Sequence, residues 1–514
     1  MKLAVILGAL AAAASATTDL TVRVDGKGHG SGGRGGGKGK KLVNSAKLQA
    51  AITQEKLLAG SKTLLSFAEK YPGRTRITGS NGHNDTVNWL KTELESLDGY
   101  YDVSLQEFFT VVMVSGAINS FTVDGAAVEA LLFDFSGSAD VTAPLVVVNN
   151  VGCEASDYPA EVKGNIALIS RGTCNFGLKS ALAGAAGAAG ALIYNNAPGT
   201  IQGTLGAPPR PEGPYVATLS LSQEQGLAYV EAITGGATVT ATLDVATEVK
   251  NASTFNVLAT TKCGDQNNKL ALGAHSDSVL AGPGINDDGS GVIGILEVAK
   301  ALSKYEVKNA VTFGFWSGEE IGLLGSAFYV ASLSAAEQAK IRGYLNFDMI
   351  ASPNYIHAIY DGDGGAFNLT GPAGSSEFEK FLEDYFTSAG QNFTATAFDG
   401  RSDYGPFLDA GIPSGGTFTG AEELKTEEEV ERFGGEAGVA LDACYHAACD
   451  DVDNLALDAF ELHAKAIAAA VAKYGTSWEG FPARNTTATK RSLIKGRDNV
   501  HHSNRHGCAK HVTH

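Results

Sequence analysis

Apolar residues recur along this chain in three rhythms. From residue 45, "KLQAAITQEKLLAGSKTLLSFAEKY" repeats apolar positions every three or four residues, and "GHNDTVNWLKTELESL" does the same after a "GRTRITGS" turn. That period predicts helices packed on a larger body. Between 125 and 248 the pattern shortens to β-rich pieces, "APLVVVNN", "GNIALISRG", "GALIYNN", "VATLSLS" and "TVTATLDV", interrupted by the alanine- and glycine-rich helix "FGLKSALAGAAGAAG". Few ionisable groups fall here, so the stretch reads as an inserted module that covers or frames a site elsewhere. From about residue 255, strand-like and helix-like runs alternate: "KLALGAH", "GVIGILEVAKALSKY", "AVTFGFW", "GLLGSAFYVASL", "GYLNFDM" and finally "LDAFELHAKAIAAAVAKYG". Such alternation predicts a sheet covered by helices on both faces. Reactive groups in these sheets gather beyond the carboxyl ends of the strands.

The expected fold class is therefore α/β: a mixed, mostly parallel sheet sandwiched by helices. Its expected extent is 45–124 joined to 249–482, with a smaller β-rich α/β domain inserted at 125–248.

The two ends fall outside this pattern. Lys2, the apolar stretch from Leu3 to Ala14 and the small residues Ala14 and Ala16 read as a secretory signal over 1–16. Residues 17–44 contain "DGKGHGSGGRGGGKGKK", which cannot form a core and ends in the dibasic pair Lys40-Lys41. It reads as a linker or as a propeptide removed near that pair. Residues 483–514 form a basic tail with a second dibasic pair, Lys490-Arg491, and with His501, His502, His506, His511 and His514; it is expected to be disordered or removed. No later run approaches the roughly 20 apolar residues of a membrane helix. A secreted protein without a membrane span is expected, the vacuolar lumen being the alternative, and a monomer. Sequons at Asn84, Asn251, Asn368, Asn392 and Asn485 suit a eukaryotic secretory route.

Charge sharpens the division. Six basic and two acidic residues lie in 17–41, and seven basic and one acidic in 483–514. Setting these ends and Lys2 aside, the overall charge of -17 leaves about -28 on residues 42–482. So acidic a body excludes nucleic acid as a partner, because phosphate contacts need concentrated Lys and Arg. The six cysteines of an exported chain suggest disulfides, with Cys153–Cys174 and Cys444–Cys449 as the local pairs. Cys263 and Cys508 remain over.

Against this background, metal-ligand residue types end strands or open loops in five places. "LGAHSDSV" supplies His275 and Asp277, "PGINDDGSG" Asp287 and Asp288, "SGEEIG" Glu319 and Glu320, "LNFDM" Asp348, and "DACYHAACDD" His446 within a cysteine bracket. Alone, each has a plain structural explanation: a core histidine, an Asp-Asp-Gly turn, a helix start. Together, after apolar strands where charge has no structural use, they point to a divalent ion. Imidazole nitrogen mixed with carboxylate oxygen is the ligand chemistry of zinc or a similar first-row metal. His83, His357 and His463 read as structural, and "EELKTEEEVER" (422–432) as a solvated helix; a calcium site near Asp450 and Asp451 is a weaker reading.

These motifs, with "DGRSDYGPF", resemble those of the double-zinc aminopeptidases, in particular the aminopeptidase Y and fungal secreted leucine aminopeptidase branch, over roughly 45–124 and 249–480. "RGTCNFGLK" in the insert is similar to the protease-associated domain of that branch. The resemblance implies two zinc ions per chain bridged by Asp287, with His275 and Asp348 on one ion and Glu320 and His446 on the other. It implies Glu319 as general base and then acid for a bridging hydroxide, Tyr445 as oxyanion donor, Asp277 as the carboxylate that orients His275, and Arg401 on the substrate side. The implied activity is removal of N-terminal residues, large and apolar, from peptides with a free amine. A carboxypeptidase on the same scaffold, or a non-catalytic receptor-like homologue, is the alternative.

Overall fold

The computed structural model describes residues 40–201 and 203–484. The expected signal over 1–16, residues 17–39, Asn485, Cys508 and the histidine-rich tail lie outside the described residues. The first periodic stretch forms two helices, Ser45–Gln49 and α1 (Gln54–Glu69), separated where Thr53 takes an extended conformation. α1 turns Leu57, Leu64, Leu65 and Ala68 inward at helical spacing, and α2 (Asn81–Glu95) does the same with Val87, Leu90 and Leu94.

The sheet they cover is built from β1 (Tyr101–Val123), β2 (Thr240–Thr261), β3 (Asp265–His275), β4 (Asn309–Trp316), β5 (Ile341–Phe347), β6 (Ala358–Tyr360), β7 (Thr394–Thr396) and β8 (Ser414–Phe418). Their spatial order is β7-β6-β8-β5-β3-β4-β2-β1. The centre, β8-β5-β3-β4, is parallel, as is the pair β6-β7. β2 runs antiparallel to both β4 and β1, and β6 antiparallel to β8.

Central strands buried on both faces read as continuous apolar runs, and "LALGAH" and "AVTFGFW" do. Leu270, Leu272 and Ala274 point into one core, with α3 (Gly289–Leu302) and α4 (Leu457–Tyr474); Ala271 points into the other, with Trp316, Tyr344 and Phe407. Gly273 is required between them: a Cβ there would lie 2.1 Å from Trp316 Nε1 and 2.2 Å from Tyr344 Oη. The register pairs Gly273 with Gly314 and with Asn346, and His275 with Trp316. The three central strands therefore finish level, and the segments that follow them meet.

The insert continues this sheet. β1 and β2 pair from Tyr101↔Thr261 to Val123↔Ala241, an unusually long ribbon of 23 and 22 residues. Strand Ala139–Val147 adds to the far part of β2, and Ile166–Ser170, Gly190–Tyr194 and Thr218–Leu221 follow in parallel, flanked by helices Phe176–Ala185 and Gln223–Thr234. The expected junction at 248/249 falls inside β2, because a single ladder runs through it. Ile321, next to the paired glutamates, is buried in a cluster that the insert shares with β1, with Val112, Met113, Phe133 and Phe135.

Cys153 is bonded to Cys174 and Cys444 to Cys449, while Cys263 is free and its thiol lies 3.6 Å from Tyr100 Oη. Asn251, Asn368 and Asn392 are exposed and Asn84 is half-buried on α2. The expected helix over 422–432 begins only at Glu427, where Thr426 and Glu429 form a capping box. Among the described residues no helix is long and apolar enough to cross a membrane.

Candidate metal centre

His275 is the last residue of β3, and its backbone N–H donates to Asp288 Oδ2 at 3.0 Å. Asp288 caps α3 through Gly291 N at 2.8 Å and also accepts from Met349 N at 3.2 Å. It therefore ties the ends of three segments together instead of facing the centre as Asp287 does. Asp287 is held by its own N–H, which donates to Asp450 Oδ2 at 3.0 Å, while Asn286 N donates to Asp450 Oδ1 at 2.8 Å. Asp450 also accepts from Asn454 Nδ2 at 3.2 Å, and Asp451 pairs with Arg74 at 2.9 Å, so both carboxylates have structural partners.

The two oxygens of Asp287 face different partners. Oδ1 lies 3.2 Å from His275 Nε2, which is in turn 3.6 Å from Asp348 Oδ1. Oδ2 lies 3.1 Å from His446 Nε2, itself 3.1 Å from Glu320 Oε2. Ligand atoms about 2 Å from a tetrahedral ion sit about 3.3 Å apart. The histidine–carboxylate pairs within the two trios, Asp287–His275–Asp348 and Asp287–His446–Glu320, lie near that spacing. Ligand atoms of His275, Asp287 and Glu320, and of His275, Asp288 and Asp348, also lie within 4.8 Å of one another. Asp348 Oδ1 and Glu320 Oε1 are buried without any hydrogen-bond partner, an expensive arrangement unless a cation takes them. The donor set fits zinc, with Asp287 between two positions.

Glu319 stands apart. Its Oε2 is 3.9 Å from His275 Nε2, outside both trios, and the residue is only 8% exposed. Burial pushes its carboxyl well above the usual range; His275 opposes that, and Asp348, Glu320 and Asp403 reinforce it. Asp277 lies beyond the other ring nitrogen of His275, 3.6 Å from Nδ1. That is longer than a hydrogen bond; its oxygens accept from Gly318 N at 2.9 Å, Glu319 N at 3.3 Å and Thr78 Oγ1 at 2.8 Å. Asp277 therefore also fixes the backbone that presents Glu319.

His446 adopts φ 54° in the loop closed by Cys444–Cys449, with the Tyr445 ring stacked on it at 3.8 Å. Arg401 donates to Tyr445 Oη at 3.3 Å and pairs with Glu422 at 3.0 Å and Glu423 at 3.3 Å. Those pairings explain why Glu422 and Glu423 leave the expected helix. The cavity above the centre runs from these carboxylates to Met349, Tyr360, Thr396, Ala397 and Phe418. Ser402, one residue beyond Arg401 in the same motif, donates to Asp348 Oδ2 at 2.5 Å and turns the other oxygen inward. His83, His357 and His463 sit in buried structural bonds, to Ser276 and to each other, at 3.0 Å.

The crowded carboxylates of the centre favour protonation, so protons compete with a cation there. Burial and Asp287 push Glu320 up to about 7. Burial alone would depress His446, but Glu320 and Asp287 outweigh it and hold the imidazole well above its ordinary value. Groups with raised values are protonated below them and must lose those protons to bind metal. Zinc affinity is therefore expected to fall as pH drops through 7, by about tenfold per pH unit for each proton displaced. Zinc titrations in a competing chelator at pH 6, 7 and 8 check this; a flat profile would contradict it.

Residues 256–471 match the model of peptidase family M28, and residues 141–229 match the PA domain. The chain is 54% identical over 440 residues to the probable leucine aminopeptidase 2 of Aspergillus fumigatus, covering 85% of this chain and 87% of that protein. It is 48% identical over 452 residues to the leucine aminopeptidase 2 of Trichophyton rubrum, covering 88% and 90%. Among solved structures, an aminopeptidase from Aneurinibacillus sp. strain AM-1 superposes with a TM-score of 0.66 at 26% identity, over 88% of this chain and 99% of that one. A zinc aminopeptidase from Bacillus subtilis shares the fold, with a TM-score of 0.60 at 23% identity over 86% and 98%. Site geometry, a sheet matched along its length and relatives aligned nearly end to end lead to one conclusion: the chain belongs to peptidase family M28, with a PA domain inserted between β1 and β2 of its sheet.

Proposed function

We propose that this chain is an exported di-zinc aminopeptidase that removes large apolar residues from the free N-termini of peptides. The observation that carries the reading is the split of Asp287, whose two oxygens face two separate histidine–carboxylate pairs at 3.1 to 3.6 Å. Bound zinc supplies an acidified water, with a pKa near 7, and polarises the scissile carbonyl.

The chain's own groups do the rest. Glu319 is buried, outside both trios and raised in pKa, which suits a group that takes the proton of the attacking water and returns it to the leaving amine. Tyr445 Oη accepts from Arg401, so its own proton is free for the carbonyl oxygen as charge develops there. A substrate ammonium is favoured beside so many carboxylates, and Met349, Tyr360 and Phe418 offer apolar contact to the first side chain. The names of the fungal relatives support that preference. A carboxypeptidase needs a cation for the substrate carboxylate; among the described residues Arg401 is the only Lys or Arg lining this cavity, and Glu422, Glu423 and Tyr445 already engage it. The disulfides support a compartment outside the cytosol.

Leucine anilide, its N-acetylated form and a peptide blocked at the N-terminus, assayed with and without chelator, test the reading. Cleavage of the free-amine substrate alone, lost on chelation and restored by zinc, is expected. Cleavage of the blocked substrates, or turnover that survives metal removal, would sink it.

A further inference from the structure

The "GRTRITGS" segment, a simple turn by its sequence, is a strap across the back of the metal centre. Arg74 Nη1 donates to Ala448 O at 2.8 Å in the loop that carries His446. Thr75 Oγ1 donates to Val279 O at 2.6 Å, and Thr78 Oγ1 reaches Asp277. Between them, Arg76 is completely buried. Its Nη1 donates to Ser276 O at 2.5 Å, its Nη2 to Gly284 O at 2.5 Å and its Nε to Pro283 O at 2.9 Å.

Those three carbonyls sit at the two ends of one loop. Ser276 follows the ligand His275, and Gly284 lies three residues before the ligand Asp287. Gly284 has φ 63°, and a Cβ there would lie 2.3 Å from Asp287 O and 2.6 Å from Ser278 Cβ, so the loop is folded tightly around the guanidinium. Among the described residues Arg76 forms no ion pair within 4 Å of a carboxylate. Asp277, Asp450, Asp288 and Asp287 compensate its buried charge from farther away. A planar fork of donors on a permanent cation suits this task; an ammonium on a flexible stem cannot span the three acceptors.

We propose that Arg76 is a positioning residue of the metal centre: by cross-bracing both ends of loop 276–284 it fixes the separation of His275 and Asp287, and it supplies a fixed positive charge behind the carboxylates. This rests on the di-zinc reading above.

The test compares wild type, Arg76→Lys and Arg76→Met by chelator-buffered zinc titration, by amide hydrogen exchange of the zinc-free proteins and by steady-state kinetics at saturating zinc. Groups that orient ligands typically contribute about 10- to 100-fold to metal affinity, so Arg76→Met should weaken zinc by that factor. Arg76→Lys, which keeps the charge but not the fork, should fall between. Exchange should quicken across residues 276–288 while Ile341–Phe347 stays protected, a split that general loss of stability would not produce, and kcat should fall with KM unchanged. Wild-type zinc affinity in both variants, or wild-type exchange in that loop, would overturn the assignment. If Arg76→Met does not fold, Arg76→Lys decides: weaker zinc supports the proposal and unchanged zinc ends it. If wild type itself binds no zinc, the di-zinc reading fails, and the exchange pattern alone judges the brace.

Discussion

Replacing Glu319 by Gln is expected to leave both zinc ions in place and to lower kcat on leucine anilide by about 10² to 10⁴-fold, the range of a positioned general acid–base. The variant keeps the shape and the buried volume of the side chain. Its Oε2 lies 3.9 Å from His275 Nε2, farther than any atom of the two trios from its neighbour, so neither shell loses a ligand. What disappears is the ability to accept a proton. Burial and the neighbouring carboxylates hold this carboxyl well above the usual range, and a bound cation would favour its ionised form, the form that accepts a proton. KM should change little, because the amide retains its contacts while transition-state proton transfer is lost. Zinc per chain, measured alongside turnover, separates the outcomes. Turnover within about tenfold of wild type would remove Glu319 from the reaction, since even a modest general base contributes more. Loss of metal would instead make Glu319 a ligand.

The second large effect is expected at Asp287. Replacing it by Ala takes an oxygen from each trio at once, leaving His275 with Asp348 on one side and His446 with Glu320 on the other. Neither remaining pair can fill a zinc shell with three protein ligands. Both ions should be lost on dialysis, and turnover should fall by at least about 10³-fold, because the stabilisation a metal gives the transition state is worth several kcal/mol. Asp348→Ala is the contrasting control. It strips one shell only, so the ion held by His446 and Glu320 should survive longer against a chelator. Equal, simultaneous loss in the Asp348 variant, or retention of one tightly held ion in the Asp287 variant, would remove Asp287 from its bridging place.

Much of this centre is legible in the sequence because several of its charged side chains cluster at the ends of apolar strands. His275 directly after "LALGA", Asp348 directly after "GYLNF" and Glu319 and Glu320 just past "AVTFGFW" are together hard to explain as structural, and the parallel register brings those strand ends level. His446 is legible through its cysteine bracket. Other residues are silent for a common reason: their partners are far away in the chain. Arg76 acts on carbonyls some 200 residues distant, and Asp450 accepts from Asn286 and Asp287 about 160 residues earlier. No local period or motif spacing encodes such contacts. Asp288 looks like a second ligand beside Asp287, yet its oxygens go to backbone N–H groups, a choice made by the capping of α3. Glu422 and Glu423 carry the composition of a helix start, but Arg401 claims them and the capping box at Thr426 sets the first turn later. The β1–β2 ribbon is likewise hidden, since alternation along each strand says nothing of how far the pairing runs.

Ile321 gives the insert a standing that its lack of reactive groups would not suggest. The side chain next to the two glutamates is anchored in a neighbouring core, so the position of those glutamates is shared property of both bodies. A chain shorn of the insert would uncover that isoleucine beside the two glutamates and leave their backbone to the hydrogen bonds that Asp277 accepts. The module is therefore a foundation wall for the loop that carries the two glutamates.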